Sequence, residues 1–313
     1  MPGRKIIIDT DPGQDDAVAI LLALASAELD VLGLTIVAGN VSLHYTVEAA
    51  RKVVELAERT EVPIYAGCSR PISKPLVTAE HVHGATGIDG VDFADPTVPV
   101  QSEHAVDFII RTLRAEPAGD VTLVTLGPLT NIGLALVKAP DIAPRVREIV
   151  AIMGSLHQGG NITPLGDFNT YVDPEAADLV LQSGIPIVMV PMDITHQVLN
   201  TRERLDAWRA TGTRCGAAAA DLMQFSEAFD LEKYGWGAAP LHDPCAIVYL
   251  LAPELFSGRT INVRVSTDGT VSTGMTVVDW WRVSGREPNC DYLLEVDVPA
   301  LYDLMTERLA LLP

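Results

Sequence analysis

Basic residues are scarce in this sequence. Lysine and arginine number 22 against 41 aspartates and glutamates, a formal net charge of −19. A surface of that sign repels a phosphate backbone, which argues against nucleic acid as a partner. No block of five or six like charges occurs, so the acidity is spread along the chain and serves solubility. Cysteine is also rare. Cys68, Cys215, Cys245 and Cys290 show no CxxC spacing, which excludes a zinc ribbon and fits buried, reduced thiols. No 18-residue apolar run is free of charge, so no membrane span is expected. The apolar run after MPGRK stops at Asp9, too short for the core of a signal peptide, and a cytoplasmic location is the expectation.

What is abundant is aliphatic. Aromatics make up 5% of a 313-residue chain that is 48% hydrophobic, a mix suited to parallel strands covered by helices. Strand-like runs at residues 5–9, 29–39, 63–67, 121–127, 148–154 and 185–191 alternate with helical periodicity, as at 15–26 and 47–60. This alternation predicts an α/β fold, an open and mostly parallel central sheet with helices on both faces, built as one domain over residues 1–313. Residues 68–103 lack periodicity and are rich in Pro, Gly and His. They read as a long excursion near the site mouth. Residues 201–230 read as helices. The runs INVRVS, GMTVV and YLLEVDV read as short strands of a small antiparallel extension.

The stretch IIIDTDPGQDDAVAI (6–20) places Asp9, Asp11, Asp15 and Asp16 where a strand meets a helix. Ligands of open α/β sheets bind at the carboxyl ends of strands, which is where these residues fall. Helix capping accounts for one or two acids there. Asp9 is expected to brace the turn, and the other three to form a cation site whose hard oxygens suit Ca²⁺ or Mg²⁺. Downstream, His242-Asp243-Pro244 precedes an apolar helix, with Pro244 at a favoured first position. The loop GGNITPLGDFN (159–169) brings Asn161, Asp167 and Asn169 to a strand end, and Asn40 follows the second strand. Ordinary turn chemistry also favours these residue types.

Taken together, DTDPGQDDAVA (9–19), LVTLGPLTNIGLAL (123–136), the 152–177 region, HDPCA (242–246) and GMTVVD (274–279) resemble the calcium-dependent, inosine-uridine preferring nucleoside hydrolases. The resemblance spans nearly the whole chain and implies that family's fold. It further implies hydrolysis of the N-glycosidic bond of ribonucleosides to free base and ribose, in nucleoside salvage, by a homodimer or homotetramer. By the same resemblance, Asp11, Asp16, Asp243 and the carbonyl of Leu126 would hold Ca²⁺, and Asp15 would take a proton from a calcium-bound water. Asn40, Asn161 and Asn169 would hold ribose hydroxyls, Met153 would lie beside the ribose, and His242 would help the base leave. One position departs from the family pattern, which has Glu where this chain has Asp167. The charge is kept with one methylene less reach, which implies weaker 5′-hydroxyl binding or room for an altered 5′ group.

The chemistry suits these residue types. Breaking an N-ribosidic bond needs an activated water, tolerance of positive charge on the sugar, and relief of charge on the departing base. Carboxylates serve the first two, and asparagine amides match sugar hydroxyls as donors and acceptors. His83, Tyr234 and Trp236 lie in glycine-containing stretches that could approach a base, whereas Trp280 and Trp281 read as packing residues. Two other readings stand beside this one. A haloacid-dehalogenase-like phosphatase also opens with a strand ending in Asp-x-Asp, but has no use for Asp15-Asp16. A nucleoside-binding protein without catalysis would need neither Asp15 nor His242.

Overall fold

The computed structural model describes residues 3–235 and 237–313, the side chains of Asp230 and Tyr234 excepted. Two expected base-pocket residues, Trp236 and the side chain of Tyr234, therefore lie outside the described residues.

The first half runs β1 (Arg4–Thr10), α1 (Gln14–Ala25), β2 (Leu29–Ile36), α2 (Leu43–Leu56), β3 (Ile64–Ala66), α3 (Glu80–His83), β4 (Val100–Gln101), α4 (Ala105–Ala115), β5 (Val121–Thr125), α5 (Thr130–Lys138) and β6 (Val146–Ile152). It continues through α6 (Phe168–Val172), α7 (Pro174–Leu181), β7 (Ile187–Val190), α8 (Met192–Thr195), β8 (Leu199–Asn200), α9 (Arg202–Ala210), α10 (Arg214–Tyr234), β9 (Ala239–Pro240) and α11 (Pro244–Leu251). The chain closes with β10 (Phe256–Ile261), β11 (Val263–Val265), β12 (Thr276–Val278), β13 (Cys290–Val296) and α12 (Val298–Leu309).

Nine strands form the central sheet in the order β10-β13-β7-β6-β5-β1-β2-β3-β4. All neighbours are parallel except the edge pair β10–β13. Both faces are covered, which is why β1 reads as an unbroken apolar run. Ile6 and Ile8 pack into the layer with α1 and α2, and Ile7 into the opposite layer with Tyr65 and Phe108. From β1 the sheet grows outward through β2 on one side, and from β5 through β6 on the other. The β1–β5 boundary is therefore the switch point, where a crevice opens beyond the strand ends.

Two expectations change. The run containing β13 is not part of a separate extension. It joins the main sheet parallel to β7, and among the described residues β11 and β12 form the small antiparallel pair at this end. Trp281 is not a packing residue, being 79% exposed. Trp280 is half-buried, with the Arg259 guanidinium 4.8 Å from its ring. The four cysteines are buried and free, as expected. No described helix is long and apolar enough to cross a membrane.

Candidate active site

The site begins where β1 runs out. Asp11 follows the strand, and its carboxylate enters a space kept open by two glycines. A Cβ on Gly39, after β2, would lie 2.0 Å from Asp11 Oδ2, and one on Gly127, after β5, 2.2 Å from Oδ1. The Asn40 backbone N–H donates to Asp11 Oδ2 at 2.7 Å. At the start of α1, Asp16 accepts from the Gly13 N–H (2.8 Å), the Thr10 hydroxyl (2.5 Å) and Asn40 Nδ2 (3.1 Å). A third-position acid reaching back to the N-cap amide is a helix-start device, so Asp16 is held rigidly by local structure. Asp243 is the residue before α11, with Pro244 opening that helix as expected. Because α11 packs on α1, carboxylate oxygens of Asp15, Asp16 and Asp243 come within 4.8 Å of one another.

These acids are buried, and none is neutralised by a neighbour. Among the described residues, no lysine or arginine forms an ion pair with Asp11, Asp15, Asp16 or Asp243. Burial raises the pKa of each, and mutual repulsion raises three of them further: Asp11 through Asp16, Asp16 through Asp15, and Asp243 through all three others. A group of buried carboxylates without internal counter-charge suits a divalent cation with hard oxygen ligands. Asp9 stands apart. It accepts from the Thr35 hydroxyl (2.6 Å) and Asn131 Nδ2 (2.8 Å), and burial pushes its pKa to about 7. Its carboxylate ties β1 to β2 and α5.

A cleft of about 960 Å³, its open mouth included, rises over this floor. Asp11, Asp15, Asn40, His83, Leu126, Met153, Asn161, Asp167, Asn169, His242 and Asp243 all line it, from segments as far apart as residues 11 and 243. Asp16, fully buried, lies beneath. Asn169 Nδ2 donates to the Leu126 carbonyl at 2.6 Å and the Ile152 carbonyl at 2.9 Å. Asn161 keeps a buried Oδ1 with no partner. Asp167 is the N-cap of α6. Its oxygens accept from the Gly154 N–H (2.7 Å), the Asn169 N–H (3.1 Å), the Thr170 N–H (3.5 Å) and the Thr170 hydroxyl. The four acceptor positions of that carboxylate thus face protein donors.

His83 and His242 both line the cleft. Burial lowers each pKa to about 4, with Asp16 opposing the shift at His83 and His83 adding to it at His242. Both imidazoles are therefore neutral near neutral pH. Sequence reasoning missed one wall of the cleft, formed by Met223, Ser226, Phe229 and Lys233 of α10. Their spacing of three, three and four residues is a helical face, the signal that could have found them. It also missed Gln14 and Thr195, whose roles depend on contacts between distant elements.

The family model described as inosine-uridine preferring nucleoside hydrolase matches residues 6–303 of the chain. Over 305 residues the chain is 43% identical to the pyrimidine-specific ribonucleoside hydrolase RihA of Escherichia coli K12, with 97% of each covered. Among solved structures it superposes on a purine-preferring ribonucleoside hydrolase from Gardnerella vaginalis (TM-score 0.91, 33% identity, 98% of each chain). It superposes equally on a plant nucleoside hydrolase (TM-score 0.92, 34% identity, 99% of each chain).

Proposed function

The chain belongs to the inosine-uridine preferring nucleoside hydrolase family, and from that premise we propose how its cleft cleaves ribonucleosides to free base and ribose. The observation that carries the reading is that carboxylate oxygens of Asp15, Asp16 and Asp243 lie within 4.8 Å of one another at the base of the cleft. In this reading Asp11, Asp16, Asp243 and the Leu126 carbonyl hold a calcium ion. The buried carboxylates, with which no lysine or arginine among the described residues forms an ion pair, support that fit. When bound, such an ion supplies Lewis acidity that makes a water easier to deprotonate.

The remaining steps belong to the chain's own residues. Asp15 receives the proton of the attacking water, and its carboxylate, which lines the cleft beside Asp16 and Asp243, is placed for that role. The surrounding carboxylates favour the positive charge that develops on the sugar. Asn40, Asn161 and Asn169 hold ribose hydroxyls against Met153. The buried, unpartnered Asn161 Oδ1 supports this, since such an atom calls for a donor. His242 faces the departing base as a neutral imidazole. The higher identity to a pyrimidine-specific relative than to a purine-preferring one favours a pyrimidine base.

A panel of uridine, cytidine and inosine, read by reducing-sugar release with and without a calcium chelator, tests the reading. Ribose release from uridine that the chelator abolishes is expected. Nucleoside binding with no ribose released over hours would instead identify a binding protein. Release of phosphate from p-nitrophenyl phosphate would identify a phosphatase. Asp15→Asn should lose at least about 10²-fold in turnover while still binding calcium. Loss of calcium binding in that variant would make Asp15 a ligand and not the base.

A further inference from the structure

Two of the histidines that line the cleft are His83 at the end of α3 and His242 just before α11. Each is held through Nδ1 by a polar side chain that the reaction described above does not use. Those side chains, Gln14 and Thr195, are both 0% exposed, so their polar atoms must be matched within the protein.

The matching at Gln14 orients its amide. Nε2 donates to the carbonyls of His83 (3.0 Å) and Asp89 (3.1 Å). Oε1 is therefore the atom 2.6 Å from His83 Nδ1. An amide oxygen only accepts, so His83 Nδ1 carries the ring proton and, in the neutral ring, Nε2 is bare. At Thr195 the logic runs the other way. The hydroxyl has one proton to place, and among the described residues the acceptor it meets is His242 Nδ1, at 2.7 Å. The hydroxyl donates, Nδ1 accepts, and the ring proton of His242 sits on Nε2.

We infer that Gln14 and Thr195 are positioning residues that hold His83 and His242 in opposite hydrogen-bonding states, His83 offering a bare Nε2 and His242 offering Nε2–H. A ligand matched to this pair brings one donor and one acceptor. A hydroxyl or ring N–H of the nucleoside meets His83, and an acceptor atom of the base meets His242. When the bond to the sugar breaks, its electron pair moves onto the base, and the His242 Nε2–H offsets that charge through a hydrogen bond. The ring states follow from the hydrogen bonds alone, whereas this last role rests on the hydrolase reading above.

Two measurements separate the claims. Nitrogen-15 spectra of the histidine rings in the calcium-loaded resting protein, assigned with His83→Gln and His242→Gln, read the protonated nitrogen of each ring directly. Nδ1–H is expected at His83 and Nε2–H at His242. The same tautomer in both rings, or Nδ1–H at His242, overturns the inference. In the second measurement, Thr195→Val should lower kcat on uridine by about a hundredfold, the lower end of what a positioned acid or base contributes. It should leave KM and the hydrolysis of p-nitrophenyl riboside, whose leaving group needs no donor, largely unchanged, and Thr195→Ser should restore uridine turnover. Equal loss on both substrates makes Thr195 a structural residue and overturns its positioning role. Failure of the wild-type protein to release ribose from any nucleoside overturns the hydrolase reading instead, while the ring states are still decided by the spectra.

Discussion

The Asn169 side chain joins two strand ends through one nitrogen, donating to the Leu126 carbonyl at 2.6 Å and the Ile152 carbonyl at 2.9 Å. Leu126 follows β5 and Ile152 ends β6, so the amide aims the carbonyl proposed to face the cation. Asn169→Ala should therefore weaken calcium binding as well as raise KM. Asn169→Asp should be worse, because a carboxylate facing two carbonyls has no proton to share. Calcium titration calorimetry of both variants checks this. Unchanged calcium affinity in each would confine Asn169 to the sugar.

Calcium should stabilise the fold. Burial and repulsion oppose ionisation of Asp11, Asp16 and Asp243, and a bound divalent cation relieves both. At a hundredfold excess over Kd, binding to the native state alone contributes about 2.7 kcal/mol. Thermal unfolding with calcium and with chelator should differ by several degrees, and Asp243→Asn should abolish most of the difference. An identical Tm under both conditions would argue that no cation sits there.

Asp167 is occupied as a cap. Its carboxylate serves the start of α6 and the Gly154 N–H, which leaves little for a 5′-hydroxyl. The wild-type protein should discriminate weakly between uridine and 5′-deoxyuridine. Asp167→Ala should cost about 1–2 kcal/mol of stability, the range for losing an N-cap. Strong wild-type preference for uridine that disappears in Asp167→Asn would instead give this residue a direct grip on the 5′ side.

His196 makes stability depend on pH. Burial lowers its pKa to about 3, with His242 and Lys233 adding to the shift and Asp193 opposing it. In the unfolded chain it takes up a proton near 6.5. Between those values the unfolded state binds more protons, so stability falls as pH falls through that window. Denaturant unfolding at pH 7 and pH 5 should show a larger loss in the wild type than in His196→Asn. A larger loss in the variant would contradict the buried, neutral ring.

Much of this was legible along the chain because it is local. The apolar runs of β1, β5 and β6 and the helical periods between them are properties of ten-residue windows. So are the acids opening α1 and the proline opening α11. The edge of the sheet was not legible. Whether β13 pairs with β7 or with a separate hairpin is decided by which strand end it meets after 290 residues of chain. Trp281 misled because size alone predicts burial, whereas its place after β12 leaves it in solvent. The α10 wall of the cleft was hidden for a different reason. Met223, Ser226, Phe229 and Lys233 look like any amphipathic face until α10 is placed over the strand ends.

The sequence by itself determined the alternation of strands and helices, the family, and the identity of the acids, since strand ends and helix starts confine those residues to one end of the sheet. Only the tertiary structure decided which charges meet. Asp243 lies more than two hundred residues from Asp15 and Asp16, and it joins them because α11 packs on α1. It also decided the states of the groups, because burial and hydrogen-bond accounting depend on every neighbour at once. Gln14 and Thr195 carry no signal in the chain. Their meaning lies in the single proton each directs on His83 and His242.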